Sequence, residues 1–140
     1  MRWSPRNNKQ GRTRIVPGAK RPKLIAIIDD DESTQESLRG LLESAGFVAR
    51  CFGLPEEFLE YDLHREVGCL IAEIQMPGMP GLELQDWLKA EQCNIPIIFI
   101  TGNGGASMRI QAMRGGAVEF LAKPLDHQLL LKTVRAALDL

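Results

Sequence analysis

Short apolar runs recur along the chain and alternate with segments in which apolar residues repeat at helical spacing. Five runs have the length of a strand and few polar positions, and they cover residues 24–28, 47–52, 69–73, 96–101 and 118–121. Near-continuous apolar runs of this length are typical of strands buried on both faces of a parallel sheet. The alternation predicts five successive βα units, an α/β arrangement with helices on both sheet faces.

Capping and turn residues predict where the helices begin and end. Ser33 and Glu36 fit a capping box at the start of the first helix. We expect the third helix to end near Asn94 and the last helix to begin near Leu125.

Composition and charge define the domain. The chain has 140 residues, 44% hydrophobic and 25% charged, which suits one globular domain. Residues 1–23 contain eight Lys and Arg but no Asp or Glu, whereas the remainder has 9 basic and 18 acidic residues. We expect residues 1–22 to be a disordered basic tail and residues 23–140 to form the domain. The tail is either a solvated extension or a weak anchor for nucleic acid or an acidic partner.

No segment of the sequence has the character of a targeting or membrane-spanning element. The basic tail lacks an apolar signal region, and no apolar run approaches the length needed to cross a bilayer. We therefore expect a cytoplasmic protein without a membrane partner.

The cysteines and histidines are isolated. Cys51 and Cys69 lie in apolar runs and are expected to be buried free thiols, while Cys93 is expected to close a helix. His64 and His127 have no Cys or His at ligand spacing, so neither zinc nor a catalytic triad is predicted.

Polar side chains follow four of the five predicted strands. They are Asp29, Asp30, Glu73, Thr101 and Lys123. The carboxyl ends of parallel strands meet at one edge of a sheet, so these groups are expected to converge. Clustered carboxylates favour a cation, and hard oxygen ligands suit Mg²⁺. An ammonium and a hydroxyl suit phosphoryl oxygens, so the edge is predicted to transfer or sense a phosphoryl group.

Simpler interpretations of the same residues remain open. Asp29 and Asp30 could serve only to cap the following helix. Glu73 and Lys123 could form a structural ion pair at a site that has lost its chemistry.

At these positions the sequence resembles a response-regulator receiver domain of the FixJ type. The resemblance rests on Asp29-Asp30, an acidic residue ahead of Met76-Pro77-Gly78-Met79, Thr101-Gly102, and Phe120-x-x-Lys123-Pro124. The segments Thr101–Gly104 and Gly116–Pro124 nearly reproduce those of FixJ-type receivers, and the likeness spans about residues 23–140. It implies a flavodoxin-like three-layer sandwich with a five-stranded parallel sheet in the order 2-1-3-4-5.

The resemblance also implies a metal site and a signalling face. Asp29, Asp30 and the backbone carbonyl of Gln75 would hold Mg²⁺. The signal would emerge on the face formed by helix four, strand five and helix five, towards a histidine kinase or a downstream regulator. A homodimer through helix four and strand five is our first expectation for a partner.

Four further residues acquire roles by the same resemblance. Thr101 would hydrogen-bond the phosphoryl group, and Phe120 would turn inward behind it. Lys123 would pair with the acceptor or its phosphate, on a loop where the peptide bond to Pro124 is typically cis.

One position departs from the family pattern. The phosphate-accepting aspartate of the family falls on Glu73, whose extra methylene adds about 1.5 Å of reach. That displacement disturbs the in-line geometry that phosphoryl transfer needs. We therefore predict an atypical, phosphorylation-independent receiver that is either biased towards the active-like state, because Glu73 partly mimics the phosphorylated form, or locked in one state.

Two other classes of protein are alternatives to a receiver. An acceptor phosphatase would need Asp-x-Asp after a strand, and a flavodoxin would need a phosphate-binding loop after strand one. On these criteria neither a small Mg²⁺-dependent enzyme nor a flavin carrier is favoured. A DNA-associated transcriptional regulator would use the basic tail or a missing output domain. The chain ends at Leu140, where helix five is expected to end, so we expect a stand-alone or truncated receiver.

Overall fold

Five strands alternate with five helices in the computed structural model, which describes residues 24–61, 66–102 and 105–139. The elements are β1 Leu24–Ile28, α1 Glu32–Ser44, β2 Val48–Phe52, α2 Pro55–Leu59, β3 Cys69–Glu73, α3 Gly81–Ala90, β4 Ile97–Thr101, α4 Ala106–Arg114, β5 Glu119–Ala122 and α5 His127–Ala137. The predictions for residues 1–22 and for His64 lie outside the described residues.

The strands form one parallel sheet in the order β2-β1-β3-β4-β5. Strands β3 and β4 are buried at every position, as their unbroken apolar runs predicted. The chain reverses its direction of winding between β1 and β3, which is where open α/β sheets place their sites. The predicted fold class and strand order are confirmed.

Two hydrophobic clusters cover the two faces of the sheet. One cluster includes Phe58 of α2, Leu84 of α3 and Ala112 of α4. The other includes Leu42 of α1 and Val134 of α5. The helices are therefore divided three and two between the faces, which gives the predicted three-layer sandwich.

The start of α1 differs from the prediction. The helix begins at Glu32, and its N-cap is Asp31, whose carboxylate accepts hydrogen bonds from the backbone N–H of Ser33 and the hydroxyl of Thr34, both at 3.0 Å. The capping box predicted from Ser33 and Glu36 is wrong in register, because an aspartate two residues earlier is an equally good cap.

The end of α3 also differs from the prediction. The helix ends at Ala90 rather than near Asn94, so Cys93 does not close it. The chain leaves the helix through a left-handed residue, Gln92 with φ of 58°, and the N–H of Cys93 then bonds the carbonyl of Leu88 at 2.9 Å. Glycine usually occupies such a position, and its absence removed the usual sequence signal.

The remaining boundaries move by one or two residues. Strands β2, β4 and β5 each begin one residue later than predicted, and α5 begins at His127 rather than near Leu125. Element ends are the least sharply defined part of any helix or strand.

All three cysteines are free thiols. Cys69 and Cys93 are buried, but Cys51 is only half-buried, so its predicted burial is corrected. Cys51 lies on β2, an edge strand with one neighbour in the sheet, which leaves more of it accessible. Within the described ranges, no helix is long and apolar enough to cross a membrane.

Candidate functional site

The carboxyl ends of four strands bring the predicted polar side chains to one edge of the sheet. Asp29 follows β1, Glu73 ends β3, Thr101 ends β4 and Lys123 follows β5. Asp29, Glu73 and Thr101 are buried despite their polarity. Buried polar groups require partners, and these side chains lie where the convergence of the strands supplies them.

The ammonium of Lys123 joins two of the carboxylates. Its Nζ lies 2.9 Å from Oε1 of Glu73 and 3.0 Å from Oδ2 of Asp29. The Lys123 side chain is 26% exposed, so the two ion pairs are largely shielded from solvent. Shielding of this kind strengthens the attraction but also makes either partner costly to remove.

The backbone holds the other oxygen of each carboxylate. Oδ1 of Asp29 accepts a hydrogen bond from the N–H of Asp31 at 2.9 Å, and Oε2 of Glu73 accepts one from the N–H of Gln75 at 3.2 Å. Each carboxylate therefore bridges Lys123 and the loop that follows its own strand. This arrangement fixes the orientation of both side chains.

The pKa of Lys123 reflects two opposing influences. Burial by itself disfavours the charged ammonium and lowers the pKa. The hydrogen bonds to Glu73 and Asp29, together with the attraction of both negative charges, favour the charged form and prevail. The pKa of Lys123 is therefore raised above its usual value.

The loop after β5 is positioned by its backbone. The N–H of Lys123 donates to the carbonyl of Thr101 at 2.8 Å, and the peptide bond between Lys123 and Pro124 is cis. The cis bond agrees with the geometry implied by the resemblance. Phe120, three residues earlier, is buried in the cluster beneath α2, α3 and α4 and is in register with Phe99 of β4.

Two predicted site residues lie apart from this cluster. Asp30 is exposed, and so is Gln75, which contacts Glu73 through its backbone N–H. Among the residues that the structure describes, no three His, Cys, Asp or Glu side chains are arranged to hold a metal ion.

Two residues that the sequence did not single out contribute to the site. The side-chain amide of Gln35 on α1 donates to the carbonyl of Asp29 at 2.6 Å. The guanidinium of Arg109 on α4 donates to the carbonyl of Phe120 at 2.9 Å. Polar residues on helices usually face solvent, so nothing in the local pattern distinguished these two from their neighbours.

Comparison with known families assigns the chain. The profile of the response regulator receiver domain matches residues 25–135. This chain belongs to the response regulator receiver family, whose members act in two-component signalling. Receivers of this family interact with histidine kinases and downstream partners, and they usually bind Mg²⁺ at the phosphorylation site.

Individual relatives agree with this assignment. The response regulator protein TodT of Pseudomonas putida is 43% identical over 121 residues, which cover 86% of this chain and 53% of that protein. The transcriptional regulatory protein FixJ of Bradyrhizobium diazoefficiens is 38% identical over 114 residues, which cover 81% of this chain and 56% of FixJ. This chain spans about half the length of the curated relatives it matches.

A solved structure confirms the fold. The crystal structure of FixJ-N superposes with a TM-score of 0.75 and 34% sequence identity, covering 83% of this chain and 93% of that one. The similarity to FixJ-type receivers is thus present in both sequence and structure.

Proposed function

We propose that this protein is a receiver whose output does not depend on phosphorylation, because Glu73 occupies the position of the phosphate-accepting aspartate. The observation that carries the proposal is the 2.9 Å ion pair between Glu73 and Lys123. In the family, this lysine pairs with the acceptor or its phosphate. The carboxylate of Glu73 brings a negative charge to that lysine with no phosphoryl group added.

The surroundings of Glu73 also disfavour phosphoryl transfer. One carboxylate oxygen contacts Lys123 and the other accepts from the N–H of Gln75. A nucleophile for phosphoryl transfer must present an oxygen in line with the leaving group. The longer side chain of Glu73 directs its oxygens about 1.5 Å beyond the reach of an aspartate. A displacement of this size lowers rates by about 10²-fold.

The orientation of Phe120 supports an active-like state. The ring is buried rather than exposed, which is the inward position that the family resemblance associates with the phosphorylated form. Thr101, at the end of the neighbouring strand, is buried as well. We propose that the charge of Glu73 favours this inward arrangement and that mimicry is partial, since a carboxylate lacks the oxygens and the second charge of a phosphoryl group.

The residues at this edge suit a divalent cation. Asp29, Asp30 and Glu73 formally carry three negative charges against the single positive charge of Lys123. We propose that Asp29, Asp30 and the carbonyl of Gln75 hold Mg²⁺, which supplies positive charge to the carboxylates when bound. Titration with Mg²⁺ is expected to raise the melting temperature, and Asp30→Asn is expected to abolish that rise.

The central experiment is a titration with beryllofluoride and Mg²⁺, followed by amide chemical shifts. Three proteins are compared: the natural chain, Glu73→Asp and Glu73→Gln. We expect no saturable change in the natural chain or in Glu73→Gln, because neither presents an aspartate oxygen. Glu73→Asp restores the acceptor and is expected to show saturable shifts centred on Thr101, Phe120 and Lys123.

The outcomes separate the alternatives. A saturable response of the natural chain would contradict the proposal outright. Absence of a response in Glu73→Asp would show that the substitution at position 73 is not what removed the chemistry. Circular dichroism of all three proteins checks that each variant is folded, so that a missing response is not caused by unfolding.

We further propose that the output surface is the face of α4, β5 and α5. Ile110 and Met113 on α4 are exposed apolar side chains, and Leu129 on α5 is a third. Self-association through α4 and β5 would cover the first two. Sedimentation velocity at increasing concentration is expected to detect a dimer that Ile110→Ser weakens, and a concentration-independent monomer would contradict it.

A role in transcription is the second candidate. FixJ is named a transcriptional regulatory protein, and this chain spans only part of it. We propose that the receiver regulates a DNA-binding partner or domain, with the basic residues 1–22 as an additional contact. Binding to nonspecific DNA that weakens with salt and disappears on deletion of residues 1–22 would support this contact. Location in the cytoplasm stays a prediction from the sequence.

A further inference from the structure

Helix α4 is attached to the domain by few apolar contacts. Ala112 is its one buried residue and Met108 is half-buried against the same cluster, while Ile110 is 50% and Met113 is 37% exposed. These two side chains remove less apolar surface from water than the two or more buried residues of each other helix. Polar contacts with neighbouring elements therefore contribute to the position of α4 beside this limited packing.

The most deeply buried side chain among these contacts is that of Gln85 on α3. Its side chain is buried, with 4% exposed, and its Nε2 donates to the carbonyl of Ala112 at 2.9 Å. The same carbonyl accepts the N–H of Ala117 at 3.1 Å. Both lone pairs of this oxygen are thus used, one within the helix end and one by the neighbouring helix.

The end of α4 is a Schellman motif built on Gly116. This residue has φ of 101°, and its N–H donates to the carbonyl of Met113 at 3.1 Å. The Ala117 to Ala112 bond completes the motif. The carbonyl of Ala112, which accepts the hydrogen bond from Gln85, is therefore held in place by the geometry of the helix end.

The preceding residue, Gly115, is a glycine for a different reason. Its φ of −77° is open to any residue, but a Cβ there would lie 2.4 Å from Oε1 and 2.6 Å from Cδ of Gln85. The amide of Gln85 thus occupies the space that a side chain at position 115 would need. The position of the Gln85 amide therefore requires a glycine at position 115.

A second polar link holds the middle of α4 to β5. Arg109 donates from Nη1 to the carbonyl of Phe120 at 2.9 Å, and its Nη2 lies 3.6 Å from Oε1 of Glu119. The same carboxylate oxygen accepts the N–H of Phe120 at 3.0 Å. The amino-terminal turn of α4, by contrast, follows the loop after Thr101 at the candidate site.

We propose that Gln85 and Gly115 form an anchor that fixes the carboxyl-terminal end of α4 to α3, so that any adjustment of α4 pivots about this end. Gln85 acts in this arrangement as a positioning residue for the α4–β5 surface. The inference uses the proposed function only in treating that surface as the output. Movement at the Thr101 end then changes the tilt of α4 while its last turn stays in place.

The first test is hydrogen exchange on one variant of Gln85 and one control variant. Gln85→Met keeps the length of the side chain but removes its donor, and it is expected to lower the protection of the Gly115, Gly116 and Ala117 amides about tenfold, the equivalent of 1.4 kcal/mol. Amides of β1 and β3 are expected to keep their protection. Glu83→Gln, an exposed change on the same helix, is the matched control and is expected to change neither set.

The partner residue is tested by a double-mutant cycle. Gly115→Ala is expected to displace the Gln85 amide and to loosen the same turn. Adding Gln85→Ala frees the space, so the double variant is expected to be less perturbed than the sum of the single variants. Additive effects, unchanged protection in Gln85→Met, or an equal loss of protection across all strands would each overturn the anchor.

The pivot is tested in the Glu73→Asp background. Beryllofluoride is expected to shift amides of Ser107 and Arg109 but not those of Gly116 and Ala117, and Gln85→Met is expected to extend the shifts to the latter pair. Shifts at Gly116 and Ala117 with the anchor intact would contradict the pivot. A complete lack of response in Glu73→Asp would count against the proposed function. The hydrogen-exchange measurements would still test whether Gln85 and Gly115 anchor α4, because they do not depend on beryllofluoride.

Discussion

The ammonium of Lys123 and the carboxylate of Glu73 lie 2.9 Å apart, and they connect the ends of two strands that are not neighbours in the sheet. Strand β4 runs between them. The same ammonium reaches Asp29 at the end of β1, so one lysine joins three of the five strand ends. Loss of this cation would leave two buried carboxylates facing each other, which ties the stability of the site edge to a single side chain.

Replacement of Lys123 by methionine is therefore expected to lower the free energy of unfolding by about 3 kcal/mol, since removal of one member of a buried ion pair leaves an uncompensated charge. Equilibrium unfolding in urea at neutral pH measures the change. Lys132→Met, at an exposed position on α5, is the control and is expected to stay within about 0.5 kcal/mol.

A second substitution separates charge repulsion from lost packing. Glu73→Gln removes one of the two charges and is expected to reduce the effect of Lys123→Met. Full additivity of the two changes would show that the ion pair contributes nothing beyond its separate side chains.

The pH dependence of stability follows from the raised pKa of Lys123. Because the folded chain binds this proton more tightly than the unfolded chain, the stabilisation is fully present below the pKa of an unfolded lysine, about 10.4. It is lost as the pH rises through the higher pKa of the folded state. The difference in unfolding free energy between the natural chain and Lys123→Met is expected to be constant from pH 7 to about 10 and to shrink above that range. A difference that shrinks between pH 6 and 8 would assign the linkage to another group.

Much of the fold could be predicted from the sequence because its central strands are buried on both faces. The apolar runs that became β1, β3 and β4 have a polar residue only at the last position of β3 and β4, Glu73 and Thr101, so their extent can be predicted from the sequence. The residue at which α3 ends could not be predicted from the sequence. Gln92 adopts the left-handed conformation that is usually occupied by glycine, so the usual sequence signal is missing. When a residue other than glycine adopts this conformation, the surrounding structure rather than local preference determines where the helix ends.

The composition of the candidate site and the Glu73–Lys123 ion pair could be predicted from the sequence, but the second partner of Lys123, Asp29, could not. The topology alone brings Asp29, Glu73 and Lys123 to one edge. Which of the two adjacent aspartates turns inward depends on side-chain direction at the end of β1, and the structure buries Asp29 while leaving Asp30 exposed. The contacts of Gln85 and Arg109 depend on how whole helices pack, so no short sequence pattern contains them.

The thiols are expected to differ in reactivity. Cys51 is half-buried, whereas Cys69 and Cys93 are buried, so a disulfide reagent is expected to modify only Cys51 in the folded chain. Burial raises the pKa of the Cys51 thiol, Arg39 nearby lowers it and Glu43 raises it, with a net upward shift. Its reaction rate is therefore expected to keep rising above about pH 8.5, where a free cysteine is already half ionised. Equal rates for all three thiols would indicate that the whole domain opens before reaction.

Adjacent aspartates at the start of α1 offer a matched pair of substitutions. Asp31→Ala removes the acceptor for the Ser33 N–H and the Thr34 hydroxyl, and the loss of an N-cap costs about 1 kcal/mol. Asp30→Ala removes an equal charge from an exposed side chain, and without Mg²⁺ it is expected to change stability by less than about 0.5 kcal/mol. Urea unfolding in the presence of a chelator compares the two. Equal losses would mean that charge at the helix terminus, rather than the hydrogen bonds of the cap, stabilises α1.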